Sequence, residues 1–234
     1  MYYRIVDETV EPAGIILDSR EQSAGSARKK RTAELYGLFE YICSFASKQQ
    51  MKIISAVNIA VNPEVYIPNL KNAYKSEIET VSFADIGCFM PGEISIKELL
   101  NYMMGYQKLC SETGTWIHSE GSDQSLIKEY FFEAIKRKYA PDMPSRLNSI
   151  ALFDDEEKAE KYREDYYGES GIVVPVELKD KRAFGKFDMT WFTDVPSDAT
   201  YSSARAYAEN YWKHRESAED AWEYLFDGNY IIIS

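Results

Sequence analysis

The sequence predicts an α+β fold, and three observations lead there. Amphipathic helical patterns fill most of the first 140 residues, and short β-rich runs dominate after residue 145. The two kinds of segment do not alternate in the regular way that a doubly wound parallel sheet requires. With 234 residues, 45% of them apolar and 14% aromatic, the chain has enough apolar material to bury a substantial core as one large domain or two small ones.

Taken in order, Tyr2 to Val6 is rich in β-formers and reads as a first strand. Glu8 to Lys30 is polar, with Ser23-Ala24-Gly25-Ser26 at its centre, and reads as a loop of the kind that forms a lid. From Thr32 a helix is predicted, with Leu35, Leu38, Phe39, Ile42, Phe45 and Ala46 on one face. Ile53 to Val61 reads as a buried strand closed by Asn62-Pro63. Glu64 to Met90 has weak periodicity and no assigned element. Ser95 is a good N-cap for a helix carrying Ile96, Leu99, Leu100, Met103 and Met104. Another helix opens at Gly121 to Asp123, with Leu126, Ile127, Tyr130, Phe131, Ala134 and Ile135 as its core stripe, and stops before Pro141.

The remainder changes character. Leu147 to Phe153 reads as a strand, and Asp154-Asp155 cap a helix over Glu156 to Tyr166. A strand follows from Ile172 to Leu178, then a charged turn at Lys179 to Arg182 and a short strand at Met189 to Phe192. Ser197 to Thr200 opens a helix with Ala204, Tyr207, Ala208 and Tyr211 in phase. The chain closes with Trp222 to Phe226, an Asp227-Gly228-Asn229 turn and Tyr230 to Ile233, which reads as a hairpin. No internal repeat or low-complexity tract interrupts this order.

A formal net charge of −11 argues against a surface that attracts polyanions without specificity, though not against a local basic cleft. The runs Arg28-Lys29-Lys30-Arg31 and Lys136-Arg137-Lys138 read first as solvated helix faces. Cys43, Cys88 and Cys110 form no CxxC pair and read as buried thiols of a reducing compartment. His118 and His214 are far apart, so no metal ligand set is expected. Neither a signal-peptide pattern nor a bilayer-length apolar run is present, so the expectation is a soluble, cytoplasmic protein with no membrane contact. Neither GxGxxG nor GxxxxGK[ST] occurs.

Pro144-Ser145-Arg146-Leu147-Asn148-Ser149-Ile150-Ala151-Leu152-Phe153, read with Tyr3-Arg4 near the start and Glu223 near the end, resembles the NAD-binding core of ADP-ribosyltransferases. The Lys158 to Tyr162 helix, the Val173 to Leu178 strand and the Ala206-Tyr207-Ala208-Glu209-Asn210-Tyr211-Trp212 helix are similar to later elements of that superfamily. The likeness is to a bacterial branch with a Pro-Ser-Arg strand, an Ala…Tyr-Trp helix and a late Glu. It covers the first few residues and Glu129 to Ser234, and hardly touches the middle. It implies one domain over 1–234, a split mixed or antiparallel sheet, a helix-rich insertion at about 30–140 after the first strand, and core strands in 145–234.

The resemblance also implies a chemistry. Its three core positions fall on Arg4, Ser149 and Glu223. Breaking the nicotinamide–ribose bond of NAD passes through a cationic sugar, the problem glycosidases solve with carboxylates. The resemblance makes Glu223 the carboxylate that holds the ribose 2-hydroxyl and steadies that cation. Arg4, beside Tyr3, would hold a phosphate or ribose edge, and Ser149 would orient Glu223 or the ribose. Arg146, beside Ser145, is a second phosphate contact, and Tyr162 or Tyr166 would stack on the nicotinamide. Each residue also has a plain structural reading: a surface ion pair for Arg4, a small sheet residue for Ser149, a solvent-facing strand residue for Glu223, and a turn brace for Arg146.

Many arginine-modifying members carry a second Glu or Gln two residues before the catalytic Glu. Here that residue is Ala221, which leaves Glu216, Glu219 or Asp220 as stand-in bases, or turns the acceptor away from protein arginine and slightly towards nucleic acid. The expected function is therefore transfer of ADP-ribose from NAD to a macromolecule, RNA, DNA or protein, with release of nicotinamide. The branch suggests a toxin of a toxin–antitoxin or phage-defence system, with a neutralising antitoxin protein as partner. Two other readings stay open: a non-catalytic protein-interaction module on the same fold, and an NAD glycohydrolase using water as acceptor.

Overall fold

The computed structural model describes residues 1–6, 12–22, 35–88, 90–117, 127–167, 171–196, 199–217, 219 and 221–233 in full, and the backbone alone of 32–34 and 123–126. In chain order the elements are β1 (Tyr2–Val6), β2 (Ile16–Asp18), α1 (Ser19–Gln22), α2 (Thr32–Gln49), α3 (Ile53–Val61) and α4 (Pro63–Lys75). Next come β3 (Thr80–Ser82), a 3-10 turn over Ala84–Ile86, β4 (Glu93–Ser95), α5 (Ile96–Thr113), α6 (Asp123–Tyr139), β5 (Ile150–Leu152) and α7 (Glu156–Tyr166). The chain ends with β6 (Ile172–Asp188), α8 (Thr190–Thr193), α9 (Tyr201–Trp212) and β7 (Trp222–Ile232). Helices and antiparallel strands are mixed, as expected for an α+β chain. No helix among the described residues is long and apolar enough to cross a membrane.

The chain divides into two compact units, one of Lys30–Ala134 with Val195–Ala206, the other of Met1–Lys29, Ile135–Asp194 and Tyr207–Ser234. The first unit is largely helical, with β3 and β4 as a two-stranded antiparallel sheet. Its Ile53–Val61 segment is a helix, not the strand expected from its unbroken apolar run. Ile53, Ala56, Val57 and Ala60 are all buried, which is one helical face. Pro63 opens α4 rather than closing a strand, since the first helical turn needs no N–H from it. Cys43, Cys88 and Cys110 are buried free thiols, and burial, helped by the charge of Glu40, pushes Cys43 up to about 12.

The second unit is organised by β6 and β7, which pair antiparallel from Val176–Ile232 to Asp188–Trp222. β1 pairs antiparallel with β6, and β2 and β5 pair with successive stretches of β7. Tyr3 and Phe153 exchange both backbone bonds, at 2.8 and 2.9 Å, so β5 also meets β1 and the sheet curls into a ring, β1–β6–β7–β5. Val6, Ile150, Leu152, Val176, Phe226, Tyr230 and Ile232 form the core on one face of it.

Several expected elements take another form here. The Glu8 to Lys30 loop is interrupted by β2 and α1, and the Ser23 to Ser26 stretch and the Arg28 to Arg31 run lie outside the described residues. Lys136, read as part of a solvated face, is buried and donates to the Pro141 carbonyl at 3.1 Å. The strand expected over Leu147 to Phe153 is regular only over Ile150–Leu152, because Ser145 to Ser149 form a turn. Lys179 to Arg182 is not a turn: β6 runs through it, with register shifts at Leu178/Lys181 and Lys181/Ala183. Met189 to Phe192 is not a strand but enters the helical turn α8.

Asp227-Gly228-Asn229 is likewise no hairpin, for β7 continues through it. The glycine serves a close approach: a Cβ there would stand 2.2 Å from the Asp180 carbonyl and 2.5 Å from the Phe226 ring. Asp227 itself is buried and accepts from Arg20, Arg182 and Ser19.

Two outcomes test this frame. Gly228→Ala should lose about 1–3 kcal/mol through overpacking, read as a lowered thermal midpoint. For Asp227, desolvation pushes the carboxyl up, but the hydrogen bonds and charges of Arg20 and Arg182 together outweigh it and hold it below its usual range. The stability it contributes is full above the unfolded value of about 4 and is lost as pH falls below it. Asp227→Asn should therefore melt below the parent at pH 7, with the gap narrowing in acid titrations.

Candidate functional site

The site grows from the turn that replaces the start of the predicted strand. Asn148 and Ser149 N–H groups donate to the Ser145 carbonyl at 3.1 and 2.9 Å, and Arg146 projects from that turn. Its guanidinium lies over the Phe192 ring, 3.8 Å from the centroid. Asp188 builds the platform beneath: one oxygen accepts from the Thr190 N–H at 3.0 Å and the other from the Ser217 N–H at 2.5 Å. That fixes the start of α8, and with it Phe192.

Arg146 donates to the Tyr211 hydroxyl at 2.7 Å and to Glu223 Oε1, and Tyr211 donates to the same Oε1 at 2.7 Å. Glu223 is 1% exposed and the Arg146 side chain 10%. Taking two charges out of water costs several kcal/mol per ion, so the pair holds only because its hydrogen bonds are made. Among the described residues nothing donates to Glu223 Oε2. Phe187, opposite Glu223 in the β6–β7 ladder, stacks on Tyr211 at 4.8 Å and meets Trp212 edge-on, which seats this end of α9 on the strand.

Beside the ion pair is a pocket of about 220 Å³, walled by Phe153, Tyr162 and Tyr166 on one side and by Met189, Thr190 and Trp222 on the other. Lys158, Lys161, Asp165, Asp194 and Glu219 also line it. Tyr162 stacks on Tyr166 at 4.4 Å, and Tyr166 is 59% exposed. Burial pushes the Tyr162 phenol up; the charge of Glu223 adds to this and that of Arg146 opposes it, so the pocket wall feels both members of the pair. The buried Thr190 Oγ1, also in that wall, has no hydrogen-bond partner.

The structure thus joins Glu223, Arg146, Tyr162 and Tyr166 in one place, with Glu219 in the same pocket lining, and leaves Arg4 and Ser149 elsewhere. Tyr224, Phe226, Tyr230 and Ile232 face the core, so alternation turns Glu223 to the opposite face of β7. Arg4, between Tyr2 and Val6, points into the core face, where it donates to the Tyr230 hydroxyl at 2.7 Å and the Gln22 carbonyl at 2.8 Å. Arg4 and Glu223 therefore do not share a face. Tyr3, one residue away, does lie on the Phe153 and Glu223 side.

Ser149 is buried and its Oγ has no partner, so it makes no orienting bond to Glu223. The turn ends beside Ile150, which pairs with Phe226, three residues or about 10 Å along β7 from Glu223. Tyr211 and Arg146 supply that bond instead. Ser145 stays with the turn backbone, and Arg146 is engaged with the carboxylate where a phosphate contact was expected. Sequence reasoning placed Tyr211 as an in-phase residue of the Ala206 to Trp212 helix without a site role, and gave none to Phe192 or Thr190. A tyrosine on a buried helix face was itself a signal, because its hydroxyl needs a partner.

Arg146→Ala should cost about 3–5 kcal/mol in denaturant unfolding, because it strands a buried carboxylate. Adding Glu223→Gln to that variant should recover part of the loss, the two changes being far from additive.

No curated protein matches the chain. A family model described as "Protein of unknown function (DUF2441)" matches residues 45–234, a span that holds Arg146, Phe192, Tyr211 and Glu223 but not β1. The chain belongs to the DUF2441 family.

Proposed function

We propose that this protein is an NAD-dependent ADP-ribosyltransferase with Glu223 as its catalytic carboxylate. One observation carries the reading: a carboxylate, 1% exposed, whose Oε1 accepts two hydrogen bonds while Oε2 accepts none among the described residues, beside a pocket walled by stacked tyrosines. The curled antiparallel sheet and the order of its strands support the ADP-ribosyltransferase-like fold that the sequence resembles.

In the reaction the bond between the ribose C1 and the nicotinamide nitrogen breaks, and the pyridinium leaves as neutral nicotinamide with the bonding pair. Glu223 Oε2 accepts from the ribose 2-hydroxyl and stabilises the positive charge growing on the sugar. Tyr162 and Tyr166 offer flat faces to the nicotinamide ring. The acceptor then forms its bond to C1 and gives up a proton. Lys158 and Lys161 line the pocket and are the proposed phosphate contacts, and Asp165, Asp194 and Glu219 of the same lining are the proposed acceptors of the departing proton. Arg4 has no part in this, since it lies on the core face. The acceptor is a macromolecule, nucleic acid or protein, and with water in its place the same site would act as an NAD glycohydrolase.

A second reading has its own observation. A wholly buried Arg–Glu pair is also what a structural brace looks like, which suits a non-catalytic interaction module on this fold. Labelled NAD incubated with bacterial lysate separates the two. The transferase should label one macromolecular fraction and release nicotinamide, and Glu223→Gln should cut release about 100-fold or more while still folding. Neither label nor release, with no rise of the melting temperature in NAD, would leave the interaction module standing.

A further inference from the structure

We propose that Tyr211 and Phe192 are positioning residues that divide the labour of the Glu223 carboxylate, pinning Oε1 so that Oε2 alone meets the ribose hydroxyl. The inference rests on the transferase reading above. The two residues act along different routes to the same atom. Tyr211 donates directly to Oε1 at 2.7 Å. Phe192 acts through Arg146, whose guanidinium lies 3.8 Å over its ring and whose Nη1 donates to both Tyr211 and Oε1.

A carboxylate rotates about its last torsion unless an oxygen is held, and two donors on one oxygen hold it. The donors come from a turn and from a helix end, and each is fixed behind: Arg146 by Phe192, Tyr211 by Phe187 and Trp212. Ser149 does not take this part, because its hydroxyl has no partner. The bond to Glu223 comes instead from Tyr211 on α9. A carboxylate held to within about 0.5 Å needs such backing, and the loss of one supporting group shows in the transition state.

The charge on the sugar exists only as the bond breaks, so loosening Glu223 should lower kcat and leave the KM for NAD alone. The test is nicotinamide release by the full chain and by Tyr211→Phe, Phe192→Leu and, as a control on α9, Tyr207→Phe. Tyr211→Phe keeps the ring that stacks on Phe187 and removes only the hydroxyl. It should lose 10- to 100-fold in kcat, with the KM within twofold of the parent, and melt only a few degrees lower, still folded at the assay temperature. Phe192→Leu should lose less in the same pattern, and it decides the matter should Tyr211→Phe fail to fold. Tyr207→Phe should match the parent.

Parent-like kcat in Tyr211→Phe, or losses that follow melting temperature rather than kcat, would overturn the positioning role while the transferase reading stands. No release by the unmodified protein would instead bring down the transferase reading, and this inference with it.

Discussion

β7 is paired along both of its edges, with β6 on one side and β2 and β5 on the other, and most of the second unit follows from the alternation of its side chains. The residues on one face, Tyr224, Phe226, Tyr230 and Ile232, build the core. Those on the other face include Glu223, a charge no core would accept unpaired. Because the period is two, a change of one residue in register would exchange the faces, placing the carboxylate in the core and an aromatic ring at the pocket. The site is thus a by-product of the ladder, and the same rule sends Arg4 and Tyr3 to opposite sides.

Much of this was readable in the chain. Amphipathic stripes marked α2, α5, α6 and α9, and Asp155 capped α7 as expected, accepting from the Lys158 N–H at 3.0 Å. The failures share a cause, which is that local signals carry no record of tertiary partners. An unbroken apolar run such as Ile53 to Val61 is compatible with a buried strand or a buried helix until its neighbours are known. Asp227-Gly228 looks like a turn because glycine is usually needed for backbone freedom, yet here it is needed for space. Glu223 was singled out in the sequence because its position late in the chain resembles a family pattern. The bonds that Arg146 and Tyr211 make to it were not legible, since these residues are 77 and 12 positions away from it.

The polar network around Glu223 is unequal in its demands. Oε1 takes two donors while Oε2 takes none among the described residues, and Thr190 Oγ1 nearby is buried without a partner. Among the described residues, Thr190 Oγ1 and Ser149 Oγ are the buried side-chain atoms left without a partner, a condition uncommon in native interiors. The wall beside Thr190 is flat and aromatic, with Tyr162 stacked on Tyr166.

The two register shifts in β6 have a further consequence. β1 pairs with β6 only as far as Val176, so the long remainder of β6 meets β7 on one side and no described strand on the other. An edge of that length invites strands from neighbouring molecules. Here it is bent by the irregularities at Lys181 and carries exposed Lys179, Lys181 and Lys186, so an incoming flat strand would meet curvature and repeated positive charge. The same segment that lets Arg182 reach Asp227 thus carries the features by which sheet edges disfavour pairing with a strand of another molecule.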